Sequence, residues 1–515
     1  MFETNFGSID WVIVVVYLVG AVAAGLLVNR YIHSVADYMV GGRGSGAALN
    51  VATYIGTGLG LVTLMYASID ALTHGFAYVT LAVIGAAVGL LLGSTGFVIG
   101  RLRRMNLLTI QEYFEHRFGK RTRITAGVIC AAAGILNMGM FPKLGATFIT
   151  YSTGLSADGN AQLTVNIITS VLIVLVVLYT VVGGMVSVIV TDFLQFIVLS
   201  VGLGLAVWFA LSNPNLGWDR MVTTMQGHRG EAAFNPVAMG GYGWVWVLFN
   251  VAVFFGAALC WAPEASRMLT STSERATRRT FFYAGPAQFV RLAIPALLAV
   301  AAFCMISQHP DMRAHFFPEG LDGAADARHA GQALPLLLGK IVPSGILGLL
   351  VAGVMAAFMS THDSYLLCWS SVITRDVIGP SIGRPLSDRE QIRITRWVVV
   401  SIGVFLLVFG VWVKTPDSVW NYMAVTGTIY ISGSTAALIG GIYWKRASSK
   451  GAVAALLAGT IAVVGLFLDV PVHKQWLGLG CFALCAVLFV VVSLIWPDKP
   501  KADAVGQSSA TVKAS

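Results

Sequence analysis

The stretch from Ile346 to Ile373 reads ILGLLVAGVMAAFMSTHDSYLLCWSSVI, and in its middle Ser360-Thr361-His362-Asp363-Ser364 sets hydroxyls, an imidazole and a carboxylate among apolar residues. A carboxylate at the centre of a membrane helix costs roughly 2.5 to 3.5 kcal/mol on insertion scales, so it calls for a partner, a cavity or an ion. Oxygen donors alone, with one carboxylate and no Cys, suit a hard and weakly held cation such as sodium better than a transition metal. At about 100° per residue, Ala357, Ser360, Thr361 and Ser364 share one face of the helix and Asp363 stands roughly 60° to one side. His362 points roughly the opposite way. Ser360, Thr361, Asp363 and Ser364 can therefore line one cavity, whereas His362 is expected to pack against another helix.

Composition extends this reading to the whole chain. Of the 515 residues 57% are hydrophobic and only 11% charged, which defines an all-α polytopic membrane protein. Apolar runs long enough to cross a hydrocarbon core of about 30 Å recur from end to end. Thirteen are expected, near residues 9–28, 47–72, 76–100, 125–151, 163–182, 185–211, 242–265, 281–307, 342–373, 394–413, 419–444, 451–468 and 476–496. The first lacks a basic leader and a small-residue cleavage site, so it reads as a retained helix. Residues 1–496 form a single transporter domain on this reading. Residues 497–515 are a polar tail too short to fold alone.

An odd number of spans puts the termini on opposite sides. One set of loops, including Arg101, Arg103, Arg104, Arg117, Arg123, Arg275, Arg375, Arg384 and Lys445, carries 24 of the basic residues, and the opposite set carries 7. The positive-inside rule then places the N-terminus outside and the C-terminus in the cytoplasm of a cell (inner) membrane. The net charge of +9 is mostly this orientation signal, and no basic stripe with interleaved aromatics points to nucleic acid. All six cysteines fall in apolar spans and read as small buried hydrophobes.

Polar residues inside the other spans need a reason as well. Gly56-Thr57-Gly58-Leu59-Gly60 places glycines at alternate positions of the second span. This fits either close helix packing or a discontinuous helix whose freed carbonyls line an ion site. Gly183-Gly184 makes a tight reversal, and Asp192 follows about 12 Å up the next helix, either as a ligand or as a bridge between helices. Pro142-Lys143 follows Asn137 in the fourth span, so a proline kink adjoins a buried cation. Lys143 can bind an anionic solute group, pair with an acid or snorkel to an interface.

Four motifs in order along the chain carry a resemblance. They are Asp37-Tyr38-Met39-Val40-Gly41-Gly42-Arg43, then Gly183-Gly184-Met185 with Thr191-Asp192-Phe193-Leu194-Gln195, then Ala357-Phe358-Met359-Ser360-Thr361, then Tyr443-Trp444-Lys445-Arg446. With them the chain resembles the sodium:solute symporter family over nearly its whole length. The resemblance implies a leucine-transporter-type fold of two five-helix inverted repeats, here about 47–211 and 242–444, with peripheral helices. It implies a principal sodium site made by the carbonyls of Gly56, Leu59 and Ala357 with the hydroxyls of Ser360 and Thr361. A candidate second sodium site would use Asp192, Ser360, Asp363 and Ser364. Substrate contacts are expected from Thr57, Asn137, Lys143, Trp261 and Tyr422. Gly58 stands where proline carriers have Asp, which argues against a proline-type site.

The function expected is sodium-coupled symport of a small polar organic solute, a carboxylate if Lys143 reaches it, by alternating access in the lipid bilayer. A proton-coupled carrier of the same fold, using Asp192 or Asp363 as relay, and a transporter-like nutrient sensor are the alternatives. No nucleophile, phosphate loop or catalytic metal cluster suggests an enzyme.

Overall fold

The computed structural model describes residues 3–28, 51, 58, 60–155, 160–416, 418–467 and 474–498. Among these the regular elements are helices, with no strand. Nine are long and apolar enough to cross a membrane, and Ser8–Gly20, Ile197–Ser212 and Trp244–Cys260 are shorter apolar helices.

In chain order the helices that position the site are α1 (Ser8–Val28), α2 (Leu61–His74), α3 (Val79–Thr95), α4 (Ile110–Phe118), α5 (Lys120–Met138), α6 (Phe141–Ser152), α7 (Ala161–Ser212), α8 (Trp244–Cys260), α9 (Ala262–Thr270), α10 (Glu274–Gln308), α11 (Ile346–Val372), α12 (Asp388–Trp412), α13 (Val419–Tyr443), α14 (Ser449–Gly459) and α15 (Lys474–Ile495). Local sequence sets many of their starts. Thr109, Ser273, Ser387, Ser418 and Ser448 accept a backbone N–H of the first turn, and Ser387 and Glu390 form a full capping box.

The helices break where the physics of membrane helices allows it. The fourth span divides into α5 and α6, with Pro142 in the first turn of α6 where its missing N–H costs nothing. The seventh span, expected to be continuous, divides at Trp261, whose φ of −66° and ψ of 120° are extended, with Pro263 just beyond it. Pro263 has no N–H to give the carbonyl of Leu259, so α8 cannot run on through it, whereas in the first turn of α9 the missing donor costs nothing. In the second span Gly58 is helical and Gly60, with φ −85° and ψ 168°, is extended, so a new helix starts at Leu61. The second and seventh spans open the two expected repeats, so the interruptions fall at corresponding positions, as an inverted repeat requires.

The spans expected at 163–182 and 185–211 fall within one continuous helical stretch, α7. A straight rod of that length would measure about 78 Å, yet both halves return to the same end of the molecule. A Cβ at Gly410 would meet Thr169, and one at Gly202 would meet Leu350. The chain therefore reverses between Thr180, which donates to Asp363, and Val198, which faces Gly353. Helix α11 lies at the centre, its apolar stretch 83% buried, against α1, α7, α5 and α12.

The arginine-rich loops meet at one end. Arg103 Nε donates to Ser271 O at 2.6 Å, Arg101 Nη1 to Ile442 O at 3.2 Å, and Arg123 Nε to Asp376 Oδ1 at 2.8 Å. Arg117 reaches the carbonyls of Gly441 at 3.1 Å and Ala447 at 3.0 Å, satisfying acceptors left open at the end of α13. The Tyr443-Trp444-Lys445-Arg446 motif is thus where α13 is capped by an arginine from α4.

Candidate ion and solute site

The oxygen-rich segment of α11 is buried against the start of α2. Ser360, Thr361, Asp363 and Ser364 are all at most 4% exposed. Thr361 Oγ1 donates to Ala357 O at 2.9 Å, the ordinary bond of a helical threonine to the preceding turn. It also lies so close to Gly60 that a Cβ there would collide with it, and Ala357 O would stand 3.6 Å from the same Cβ. A glycine is required here by the approach of two helices. The first N–H groups of α2 receive no side-chain cap from Gly60, and the Thr361 hydroxyl and the Ala357 carbonyl lie beside this interruption.

Each expected residue now has a place. Gly56, Thr57 and Leu59 lie outside the described residues. Ala357 and Thr361 meet Gly60 at the helix break, and Ser360 is fully buried in the same turn of α11. Asp363 accepts from Thr180 Oγ1, which also bonds Val176 O at 2.7 Å. This carboxylate joins α11 to the first half of α7. The side chain of Asp192 is outside the described residues, but Gly202 against Leu350 and Val198 against Gly353 set an antiparallel register. Carried back along the helix, that register puts position 192 level with 359–360. His362 packs as expected: its Nδ1 bonds Phe358 O at 2.8 Å, and its ring meets Phe141 edge-on at 5.8 Å.

A cavity of about 120 Å³ lies among α2, α3, α8, α10, α11 and α13. Asn137 and Trp261 are among its lining residues. Asn137 Nδ2 donates to Met423 O at 3.0 Å and Thr426 Oγ1 at 2.8 Å, while Trp261 Nε1 donates to Tyr365 OH at 3.3 Å. Lys143 and Tyr422 are not among its lining residues. Lys143 Nζ donates instead to Val413 O at 2.8 Å, just past the end of α12, and the Tyr422 hydroxyl donates to Leu136 O. Both brace helices.

The basic group at the cavity is Arg291 of α10. Its guanidinium donates to Gln288 Oε1 at 3.0 Å, Thr63 Oγ1 at 3.1 Å and Tyr66 OH at 3.5 Å. A Cβ at Gly58 would come within 2.6 Å of Arg291 Nη1, so this glycine, like Gly60, makes room for a neighbouring side chain. The signal was present in the sequence as a lone arginine between Pro286 and Pro295 of an apolar span. Glu264 of α9 lines the same cavity, and Tyr66, Phe254 and Trp420 crowd one side, with ring centres of Tyr66 and Trp420 5.3 Å apart. At the end away from the arginine-rich loops, Ser418 Oγ donates to Asp70 Oδ1 at 3.0 Å and links α13 to α2.

Two interrupted helices at matching positions, with a polar cavity and an oxygen cluster beside the interruptions, define a secondary transporter of the inverted-repeat class. The sodium:solute symporter family model matches residues 38–459, and the chain belongs to that family. It is a sodium-coupled secondary active symporter and not an enzyme. The sodium/sialic acid symporter SiaT of Proteus mirabilis is 25% identical over 474 residues, spanning 89% of this chain and 90% of the relative. The human high affinity choline transporter 1 is 28% identical over 432 residues, 82% of this chain and 69% of that protein. The solved structure of a Na+-coupled sialic acid symporter, in a substrate-bound outward-open state, superposes with a TM-score of 0.77 at 20% identity, over 96% of this chain and all of that one.

Proposed function

We propose that this symporter takes up a small organic solute bearing a carboxylate, with sodium bound between Ala357, Ser360 and Thr361 of α11 and the interrupted second span. The close seating of Gly60 on Thr361 and Ala357 carries the ion assignment. An ion held there bridges two helices that must separate for the cytoplasmic path to open. Gly56 and Leu59 would supply the remaining carbonyls, and Asp192 with Asp363 and Ser364 a second site at the level set by the register. The core repeats are residues about 47–211 and 242–444.

The carboxylate would bind at Arg291, the cation that lines the cavity, and Asn137 and Trp261 would orient the rest of the solute. Lys143 takes no part in binding. Sialic acid, the solute named for the Proteus mirabilis relative, carries a carboxylate and fits this reading. The arginine-rich end is cytoplasmic and the N-terminus outside.

Sodium entering from outside joins the second span to α11 and completes the solute cavity, and solute binding favours occlusion. The ion's charge moves inward with about 2.3 kcal/mol per 100 mV of membrane potential. Low cytoplasmic sodium then empties the site and the solute follows. In proteoliposomes carrying a labelled solute panel, uptake should require an inward sodium gradient. Thr361→Ala should raise the sodium concentration for half-maximal uptake at least tenfold, with Thr361→Ser restoring most of it. Unaltered sodium dependence in Thr361→Ala would exclude this ion site.

A further inference from the structure

Away from the solute cavity, a cleft of about 470 Å³ opens at the arginine-rich end, between the last turn of α3 and the start of α10. Arg275, Arg278 and Arg279 line it, with Phe282 and Tyr283 beside them. Arg278 is fixed by the protein itself: Nε donates to Gly93 O at 3.2 Å and Nη2 to Ser94 O, carbonyls of the turn that ends α3. Those bonds hold its guanidinium in place without cancelling its charge. Glu274 also lines the cleft, but its carboxylate is taken by Arg104, with Nε 2.6 Å from Oε2 and Nη2 3.1 Å from Oε1. Arg275 and Arg279 are exposed and, among the described residues, make no hydrogen bond and no ion pair. The cleft is left with a positive excess.

The same face of α10 continues along a membrane-crossing helix. At about 100° per residue, Arg275, Arg279, Phe282, Tyr283, Phe289 and Val290 fall within an arc of roughly 120°, and all six are exposed. Over roughly 22 Å, at 1.5 Å per residue, this face passes from guanidinium to aromatic to purely apolar. A phospholipid has the same order of chemistry, with phosphate at the rim, glycerol at the level of interfacial aromatics and acyl chains beyond. The two helices meet closely under the cleft: a Cβ at Gly89 would stand 2.9 Å from Gly285 Cα, and one at Gly93 would run into the backbone of Phe282. The cleft thus has a firm base.

We infer that this cleft binds the phosphate of an anionic membrane phospholipid, with Arg275 and Arg279 as its ligands and Arg278 adding fixed charge from its seat on α3. Arginine suits the task because its planar fork gives a phosphate two parallel N–H bonds. A choline or ethanolamine headgroup brings a cation of its own, and with Glu274 already held by Arg104 the cleft has no acid to receive it. A headgroup with net negative charge meets no such conflict. The lipid would join α3 to α10, the helix that carries Arg291. The site stands whichever side of the membrane the arginine-rich end occupies.

Native mass spectrometry of the full-length protein in detergent, titrated with phosphatidylglycerol or with phosphatidylcholine of the same acyl chains, tests the site. Phosphatidylglycerol should be retained at least fivefold more tightly. Arg275→Gln combined with Arg279→Gln should bring that ratio close to one. Arg389→Gln combined with Arg393→Gln, at exposed positions near the start of α12 at the same end, removes equal charge and should leave the ratio as it was. Both arginines of the cleft are exposed, so the melting temperature in phosphatidylcholine should not change. Should the double variant fail to fold, Arg275→Gln and Arg279→Gln singly are each expected to lower the ratio at least twofold. No preference for phosphatidylglycerol, a ratio that survives the cleft changes, or an equal loss in the α12 control would overturn the site, the last in favour of diffuse attraction. Inorganic phosphate at the lipid's concentration should not displace it; displacement would make this a soluble-anion site and overturn the lipid assignment.

Discussion

Two basic residues show what a sequence reveals at the scale of the residue. Lys143 follows a proline in a kinked span and so invited a solute role. Its ammonium instead satisfies the Val413 carbonyl past the end of α12, where a cation also meets the negative end of the helix dipole. Lys143→Gln should therefore keep sodium-driven uptake with its anion selectivity, and should lower stability by about 1 kcal/mol, the usual size of one such bond. Thermal unfolding alongside uptake separates the two effects, and a selective loss of anion competition would return Lys143 to the solute site. Arg291 went unread because periodicity places a residue on a face without saying which face meets a cavity. The polar segment of α11 stood out for the opposite reason: hydroxyls at 360, 361 and 364 with a carboxylate at 363 call for partners inside an otherwise apolar helix.

Among elements, the peripheral α1 is tied to the central α11 by a single carboxylate. Asp10, fully buried, accepts from Ser344 Oγ at 2.6 Å, Gly345 N at 2.6 Å, Gly348 N at 2.7 Å and its own Gly7 N at 2.8 Å. Helix α11 has no side-chain cap from its own N-cap residue, Gly345, so Asp10 supplies from another helix what a Ser or Asp usually supplies locally. Asp10→Ala strands several buried donors at once and should cost about 3 kcal/mol. In urea-dependent unfolding, Asp10→Ala combined with Ser344→Ala should cost less than the sum of the two single changes. Strict additivity would show that the two residues do not act together. Local caps such as Ser387 with Glu390 can be read from spacing, but a cap borrowed from 335 positions away cannot. The break at Trp261 was similarly hidden, because Pro263 sits in a run apolar enough to pass for one continuous span.

The whole molecule sorts its charges by end, and this was the most legible property of all, because the charge bias between loops is a sum over many residues. If the arginine-rich end is cytoplasmic, Glu319→Cys should react in intact cells with a membrane-impermeant thiol reagent and Arg384→Cys should not. The reverse pattern would invert the topology. The opposite end carries a compact loop whose stability should follow pH. There the rings of His315 and His329 lie tilted against each other with centres 3.8 Å apart, and Gln332 bonds both, at 2.9 and 3.2 Å. Burial, and then the neighbouring His315, hold the His329 pKa below its ordinary 6.5. The fold therefore favours the neutral ring, and the unfolded chain binds the proton first as pH falls. Stability from this group is complete above about 6.5 and declines below it, down to the lowered folded value. Asp326 lies in a second window: its bonds to Arg328 bring its pKa to about 2 from 3.8, so its contribution is intact above 3.8 and is lost between there and about 2. The melting temperature of the purified protein should thus be level from pH 8 to 7 and fall in two stages on acidification. His329→Gln should remove the upper stage and leave the lower, and an unchanged profile in that variant would assign the upper stage to another group.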